Sequence, residues 1–190
     1  MATASFSYNL DLDTYPDGFN YNSSLADVLY NWASEGVPGT HPTNTGGFYE
    51  NGEAVRFNGD TYAFTTGSGY AFSATGELSY YFPPLSGPAV TGATSHTLYG
   101  TLESISFGGG LNSDGTVNDP FLTITFDDPI VSALLEGYGG DVHSIVYGLM
   151  SASVDELLTV LGTDYGVDVT NSLVTLGSAS LTESDLALAA

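Results

Sequence analysis

One Arg and no Lys stand against 22 Asp and Glu in this chain of 190 residues, a formal net charge of -21. With almost no opposite charge to pair, ion-pair networks cannot hold the fold, and like-charge repulsion works against any compact state. There is no Cys either, so disulfides, thiolate metal sites and cysteine nucleophiles are all excluded. Apolar burial must therefore carry the structure. A hydrophobic content of 42%, with 13% aromatic and only 12% charged residues, is the composition of a folded chain and not of a disordered one. The length suits one domain around one core. A surface this acidic repels nucleic acid and anionic lipid, which removes both as partners, and no stretch approaches the length of a membrane-spanning helix.

The apolar pattern changes period twice along the chain. Behind Ser24, the residues Leu25, Val28, Leu29, Trp32 and Ala33 form the stripe of an amphipathic helix, with Asp27 completing a capping box and Gly36 and Pro38 as stop signals. Breakers crowd the stretch 37–47, which reads as a loop holding His41. From Phe48 onward, short β-rich pieces separated by Gly, Asn and Asp predict strands at Ala54–Phe57, Tyr62–Thr65, Gly69–Ala74, Glu77–Phe82, Thr97–Phe107 and Phe121–Phe126. The apolar phase slips between Leu102 and Ile105, which marks a bulge or a strand buried on both faces. Helical spacing returns in Val142, Ile145, Val146 and Leu149, then in Val154, Leu157, Leu158 and Leu161, with Ser151 and Ser153 as caps between them. The prediction is an α+β single domain, a multi-stranded antiparallel sheet with helices packed on one face. Residues 83–95, with three prolines and no periodicity, predict a long exposed loop of the kind that carries function.

The ends differ in character. Met1 to Tyr21 has neither a basic region nor a continuous apolar one, and reads as strand and loop instead of a cleavable signal. The last ten residues, LTESDLALAA, place acidic residues before a short apolar terminus and resemble the uncleaved signal read by one-step (type I) export machinery. The domain is thus expected over 1–180, with an export tail at 181–190.

Chemistry-bearing residues are few. The chain has three histidines, His41, His96 and His143, with none of the short spacings that mark a zinc site. No nucleophile elbow, zinc-protease helix or phosphate loop is present, so an ordinary enzyme is disfavoured. Taken alone, His41 and His96 read as loop residues, and His143 as a polar residue at the edge of a helical stripe.

Five blocks, in order, carry more. The run Ser95-His96-Thr97-Leu98-Tyr99-Gly100-Thr101-Leu102-Glu103-Ser104-Ile105-Ser106-Phe107-Gly108 resembles the segment following the haem-ligand loop of the secreted haem-acquisition hemophores of Gram-negative bacteria. So do Asn31-Trp32-Ala33-Ser34, Gly46-Gly47-Phe48-Tyr49, Gly76-Glu77-Leu78-Ser79-Tyr80 and the stretch from Val142 to Met150. The resemblance implies haem clamped between two loops, with Tyr80 as axial ligand to the iron, His96 hydrogen-bonded to that phenol, and His41 as a second axial ligand from the opposite face. It implies ferric haem b as cargo, capture from haem-containing donor proteins outside the cell, and delivery to an outer-membrane TonB-dependent haem receptor.

A phenolate is a hard anionic donor suited to ferric iron, and a neutral His96 accepting its proton would strengthen the iron–oxygen bond. Protonation of His96 is then expected to speed haem loss in mild acid. The adjacent Tyr81 is a rival ligand, but Tyr80 shares a strand face with Leu78 and Phe82, which aims Tyr81 the other way. Two departures from the family pattern, a longer interval from Tyr80 to His96 and a shorter loop after His41, leave a five-coordinate, tyrosine-only site as an alternative. With Arg56 the only basic side chain, the haem propionates are expected to point to solvent. The competing functions are an acidic secreted structural or adhesive β-rich protein without cofactor, and a haem-dependent peroxidase, for which distal acid–base groups are not evident.

Overall fold

A computed structural model of the chain describes residues 2–9, 16–37, 46–67 and 69–177. Seven strands, β1 (Ala4–Tyr8), β2 (Gly47–Glu50), β3 (Glu53–Val55), β4 (Asn58–Thr65), β5 (Ala71–Tyr81), β6 (Thr97–Gly108) and β7 (Leu122–Ser132), form one sheet in the order β1-β7-β6-β5-β4-β2-β3. Every pairing is antiparallel. Helices α1 (Leu25–Ala33), α2 (Asp141–Met150), α3 (Asp155–Thr163) and α4 (Leu173–Leu176) complete the fold, with a 3-10 segment at Leu134–Gly139.

Helix α1 forms where the stripe places it. The Ser24 hydroxyl accepts the Asp27 N–H at 3.1 Å, one half of the capping box, and Leu25, Val28, Leu29, Trp32 and Ala33 are all buried. Trp32 is the anchor: its ring stacks on Tyr70 at 4.0 Å, meets Phe107 edge-on at 5.0 Å, and its indole N–H donates to the Gly108 carbonyl at 3.0 Å. The polar tip of the buried indole is thereby satisfied. The Tyr70 hydroxyl donates to the Leu149 carbonyl at the end of α2, so α1, the sheet and α2 close on one aromatic cluster.

Several boundaries differ from expectation for identifiable reasons. The two strands expected at Gly69–Ala74 and Glu77–Phe82 are one continuous strand, β5, because Thr75 and Gly76 continue through a bulge and not a turn. Strand β3 ends at Val55, so Arg56 and Phe57 fall in a bend before β4, which begins earlier than its apolar residues suggest. Strand β7 runs past Phe126 to Ser132 despite Pro129; β1 pairs only as far as Phe126, so the proline's missing N–H falls where no β1 residue stands opposite. Ser151 does cap α2, whereas the residue at the start of α3 is Val154, and Ser153 acts one position earlier by accepting the Asp155 N–H at 3.3 Å.

Pairing slips at one level across four neighbouring strands: between Gly59 and Thr61, between Thr75 and Leu78, and between Leu102 and Ser104. The last is the bulge foreseen from the phase change. At this level Gly76 has φ 141° and Gly100 φ 121°, and a Cβ on either would collide with a carbonyl oxygen of the facing strand, that of Thr101 or Glu77 respectively. Bulges bend strands and increase twist, so the aligned slips divide the sheet in two. Phe72, Ala74, Ile105 and Phe107 lie on one side of the line, sealed in the core; Tyr80, Tyr81 and Leu98 lie on the other.

Among the described residues no helix is long and apolar enough to cross a membrane. His41 and the tail 181–190 lie outside the described residues, as does the expected boundary at 180.

A tyrosine–histidine pair in an aromatic cavity

Strand β5 ends with Tyr80 and Tyr81 on opposite faces. Tyr81 is buried, and its hydroxyl accepts the Val90 N–H at 2.6 Å, which ties down the loop 82–96. The rival phenol is thus engaged in structure. Tyr80 is half-buried, and its hydroxyl lies 2.7 Å from Nδ1 of His96. The long interval between these residues does not keep them apart: the loop closes on itself through the His96 N–H, which donates to the Tyr81 carbonyl at 2.7 Å.

His96 reaches this position with φ 65°, in the left-handed region that non-glycine residues rarely adopt. Such a conformation persists only where surrounding contacts enforce it. Here the imidazole is held against Phe82 at 4.3 Å between ring centres, in addition to its bond to Tyr80.

Beside the pair opens a cavity of about 940 Å³, at the upper end of the roughly 300–1,000 Å³ usual for ligand sites. Its buried floor is built by Phe48, Tyr62, Leu98, His143 and Val146; Arg56, Leu85, Tyr138, Tyr147 and Glu156 stand exposed at its mouth. Burial pushes the Tyr80 phenol above its ordinary value of 10.0, and the neighbouring Tyr138 would oppose its ionisation further wherever both phenols lose their protons. Tyr62, more deeply placed, is pushed up further by burial, and its hydroxyl meets the Met150 sulfur at 3.2 Å. Tyr80 is consequently a neutral phenol in the free protein near pH 7, with Nδ1 of His96 within hydrogen-bonding distance of its oxygen.

His143 belongs to this cavity, although its sequence position alone marks it only as a polar residue near the sheet. It is 9% exposed, lies parallel between Tyr138 and Tyr147, and accepts the Leu98 N–H on Nδ1 at 3.1 Å. Burial holds its basicity below the ordinary value of 6.5. Arg56 and Tyr138 are likewise lining residues that no local pattern singles out. The helical spacing of Val142, Ile145, Val146 and Leu149 and the block from Val142 to Met150 are the two signals for the α2 wall.

A large cavity lined mainly by apolar and aromatic side chains, with the Tyr80 phenol hydrogen-bonded to His96 on its wall, is the kind of site that suits a flat, largely apolar ligand. No group of three or more His, Cys, Asp or Glu side chains that could hold a bare metal ion occurs among them. The family described as Heme-binding protein A (HasA) matches residues 8–190, and the chain belongs to it. It is 32% identical over 182 residues to the hemophore HasA of Serratia marcescens, covering 85% of this chain and 89% of that protein. Its fold is similar to holo hemophore HasA of Yersinia pestis, with TM-score 0.69 and 23% identity over 95% of this chain and 100% of that one. The apo form of the Yersinia pestis protein gives the same TM-score, identity and coverage.

Proposed function

We propose that this protein is an extracellular hemophore, a non-enzymatic carrier that captures ferric haem b from haem-containing donor proteins and delivers it to an outer-membrane TonB-dependent receptor for iron acquisition. Membership of the family supports haem carriage. The observation that carries the assignment of roles is the 2.7 Å contact between the Tyr80 hydroxyl and His96 Nδ1 on the wall of a 940 Å³ aromatic cavity.

Tyr80 supplies the axial phenolate. To do so it must shed a proton that burial makes harder to lose, and His96 lowers that barrier by accepting from it. The apolar walls exclude water, which favours the macrocycle and strengthens the bond to iron. Because ligation requires a deprotonated phenol and the proton passes to Nδ1 of His96, that nitrogen must be free to take it, and haem release is expected to quicken in mild acid. His41 is the proposed second axial ligand. Residues 1–180 form the binding domain in this reading, and 181–190 the signal for type I export.

An optical titration of the full chain with ferric haem tests the assignment, repeated with Tyr80→Phe, which keeps the ring, and with His96→Ala and His41→Ala. A saturable one-to-one Soret change, weakened by Tyr80→Phe and to a lesser degree by His96→Ala, is expected. An altered His41→Ala spectrum would count two axial ligands. No saturable change in the wild type refutes haem carriage, and an unaltered Tyr80→Phe spectrum refutes the ligand.

A further inference from the structure

The only Lys or Arg in the chain lies at the mouth of this cavity. Arg56 is exposed in a protein with 22 acidic residues, yet among the described residues no carboxylate pairs with it. Its guanidinium carbon instead lies 5.0 Å above the ring of Phe57, itself a lining residue. The Phe57 carbonyl accepts the Tyr80 N–H at 2.6 Å, so the bend bearing the cation is fastened to the backbone of the proposed iron ligand. A lone surface arginine in such an acidic chain would be expected to find a carboxylate. Among the described residues, this one rests on an aromatic ring instead.

Resting on the haem reading above, we propose that Arg56 is the propionate anchor of the cavity, pairing with one carboxylate of the bound haem and so selecting how the macrocycle is turned about its bond to Tyr80. A haem carries two propionates into a field set by a net charge of -21, which repels them. The planar guanidinium fork matches a carboxylate with two parallel N–H···O bonds, a geometry a lysine cannot offer. Glu156, the carboxylate among the cavity's lining residues, opposes a propionate placed near it. Attraction at Arg56 and repulsion at Glu156 together define one preferred edge. The propionates still emerge at the mouth, as composition alone suggests, but one of them is held.

The test compares ferric haem with ferric haem dimethyl ester, whose propionates carry no charge, on wild type, Arg56→Gln and Glu156→Gln, each checked for an unchanged thermal midpoint. At low ionic strength Arg56→Gln is expected to raise the Kd for haem roughly 3- to 10-fold, the range for an exposed but geometrically matched charge pair. The loss should shrink in about 0.5 M salt, where screening is strong, and be absent for the ester. Glu156→Gln should tighten haem and leave the ester unchanged. Equal losses for haem and ester would mean that Arg56 acts through packing on Phe57, and no loss for haem would remove it from the site; either overturns the anchor while haem binding stands. A wild type that binds neither porphyrin overturns the haem reading, and the anchor with it.

Discussion

His143 makes the stability of the free protein depend on pH in a direction the rest of the chain opposes. Its Nδ1 accepts the Leu98 N–H, so this nitrogen must be unprotonated in the folded state, and burial lowers its affinity for a proton. The unfolded chain has no such constraint and takes up the proton near the ordinary value of 6.5. Below that pH the unfolded state binds more protons, so the stability contributed by His143 is complete above about 6.5 and declines as pH falls. The decline cannot exceed about 1.4 kcal/mol per pH unit, which sets its ceiling over the unit below 6.5. Protonating the acidic surface relieves repulsion and acts the other way, so the difference between variants must be read. Urea unfolding can be followed by Trp32, the single tryptophan and a buried one. In His143→Gln, which keeps an acceptor but does not titrate, the apoprotein should be spared this part of the change between pH 7.5 and 5.5, up to that ceiling of about 1.4 kcal/mol. In His143→Leu the Leu98 N–H is left unpaired, at about 1–3 kcal/mol even at pH 7.5. Stabilities of wild type and His143→Gln that run parallel over this range would refute the argument.

The aligned bulges give a second expectation: Gly76→Ala should lower the urea midpoint by an amount equivalent to 2 kcal/mol or more, because both the φ of 141° and the Thr101 carbonyl oppose a side chain there. A midpoint within error of wild type would show that β5 and β6 can separate freely at this level. Tyr81→Phe removes the acceptor of the Val90 N–H; amide exchange at Val90 should accelerate while the thermal midpoint moves little, since such a bond contributes about 1 kcal/mol. Unchanged exchange would mean that the loop is held by other contacts.

Local periodicity made α1, α2, α3 and most strands legible, but not the four-residue α4. The stripe around Trp32 and the two stripes in α2 and α3 name buried residues almost one for one, because a helix facing a core reports its burial every three or four residues. Where backbone geometry and not side-chain burial decides, the pattern is silent. The junction at Gly76 looks like a strand end although it is a bulge within β5, and Arg56 and Phe57 look like strand although they turn. Family resemblance singled out Tyr80 and His96, which the structure brings together; it also singled out His41, which lies outside the described residues. The contact of Tyr80 with His96 depends on a loop closing across fifteen positions, and the floor of the cavity depends on α2 meeting β6 through His143 and Leu98. Neither is a local property of the chain.

The pairing of Tyr81 with Thr97 closes the loop 82–96 at its base, beyond the bend in the sheet. Lengthening a flexible loop adds little to its closure entropy, about 0.6 kcal/mol for each doubling, provided its ends stay fixed, and here the ends belong to strands whose far halves are sealed around Trp32. The rim of the cavity can therefore gain or lose residues between Phe82 and Ser95 with the phenol and imidazole still facing each other. The length of that rim is a quantity the fold leaves free, and the outline that a docking partner meets can change while the grip on the cargo does not.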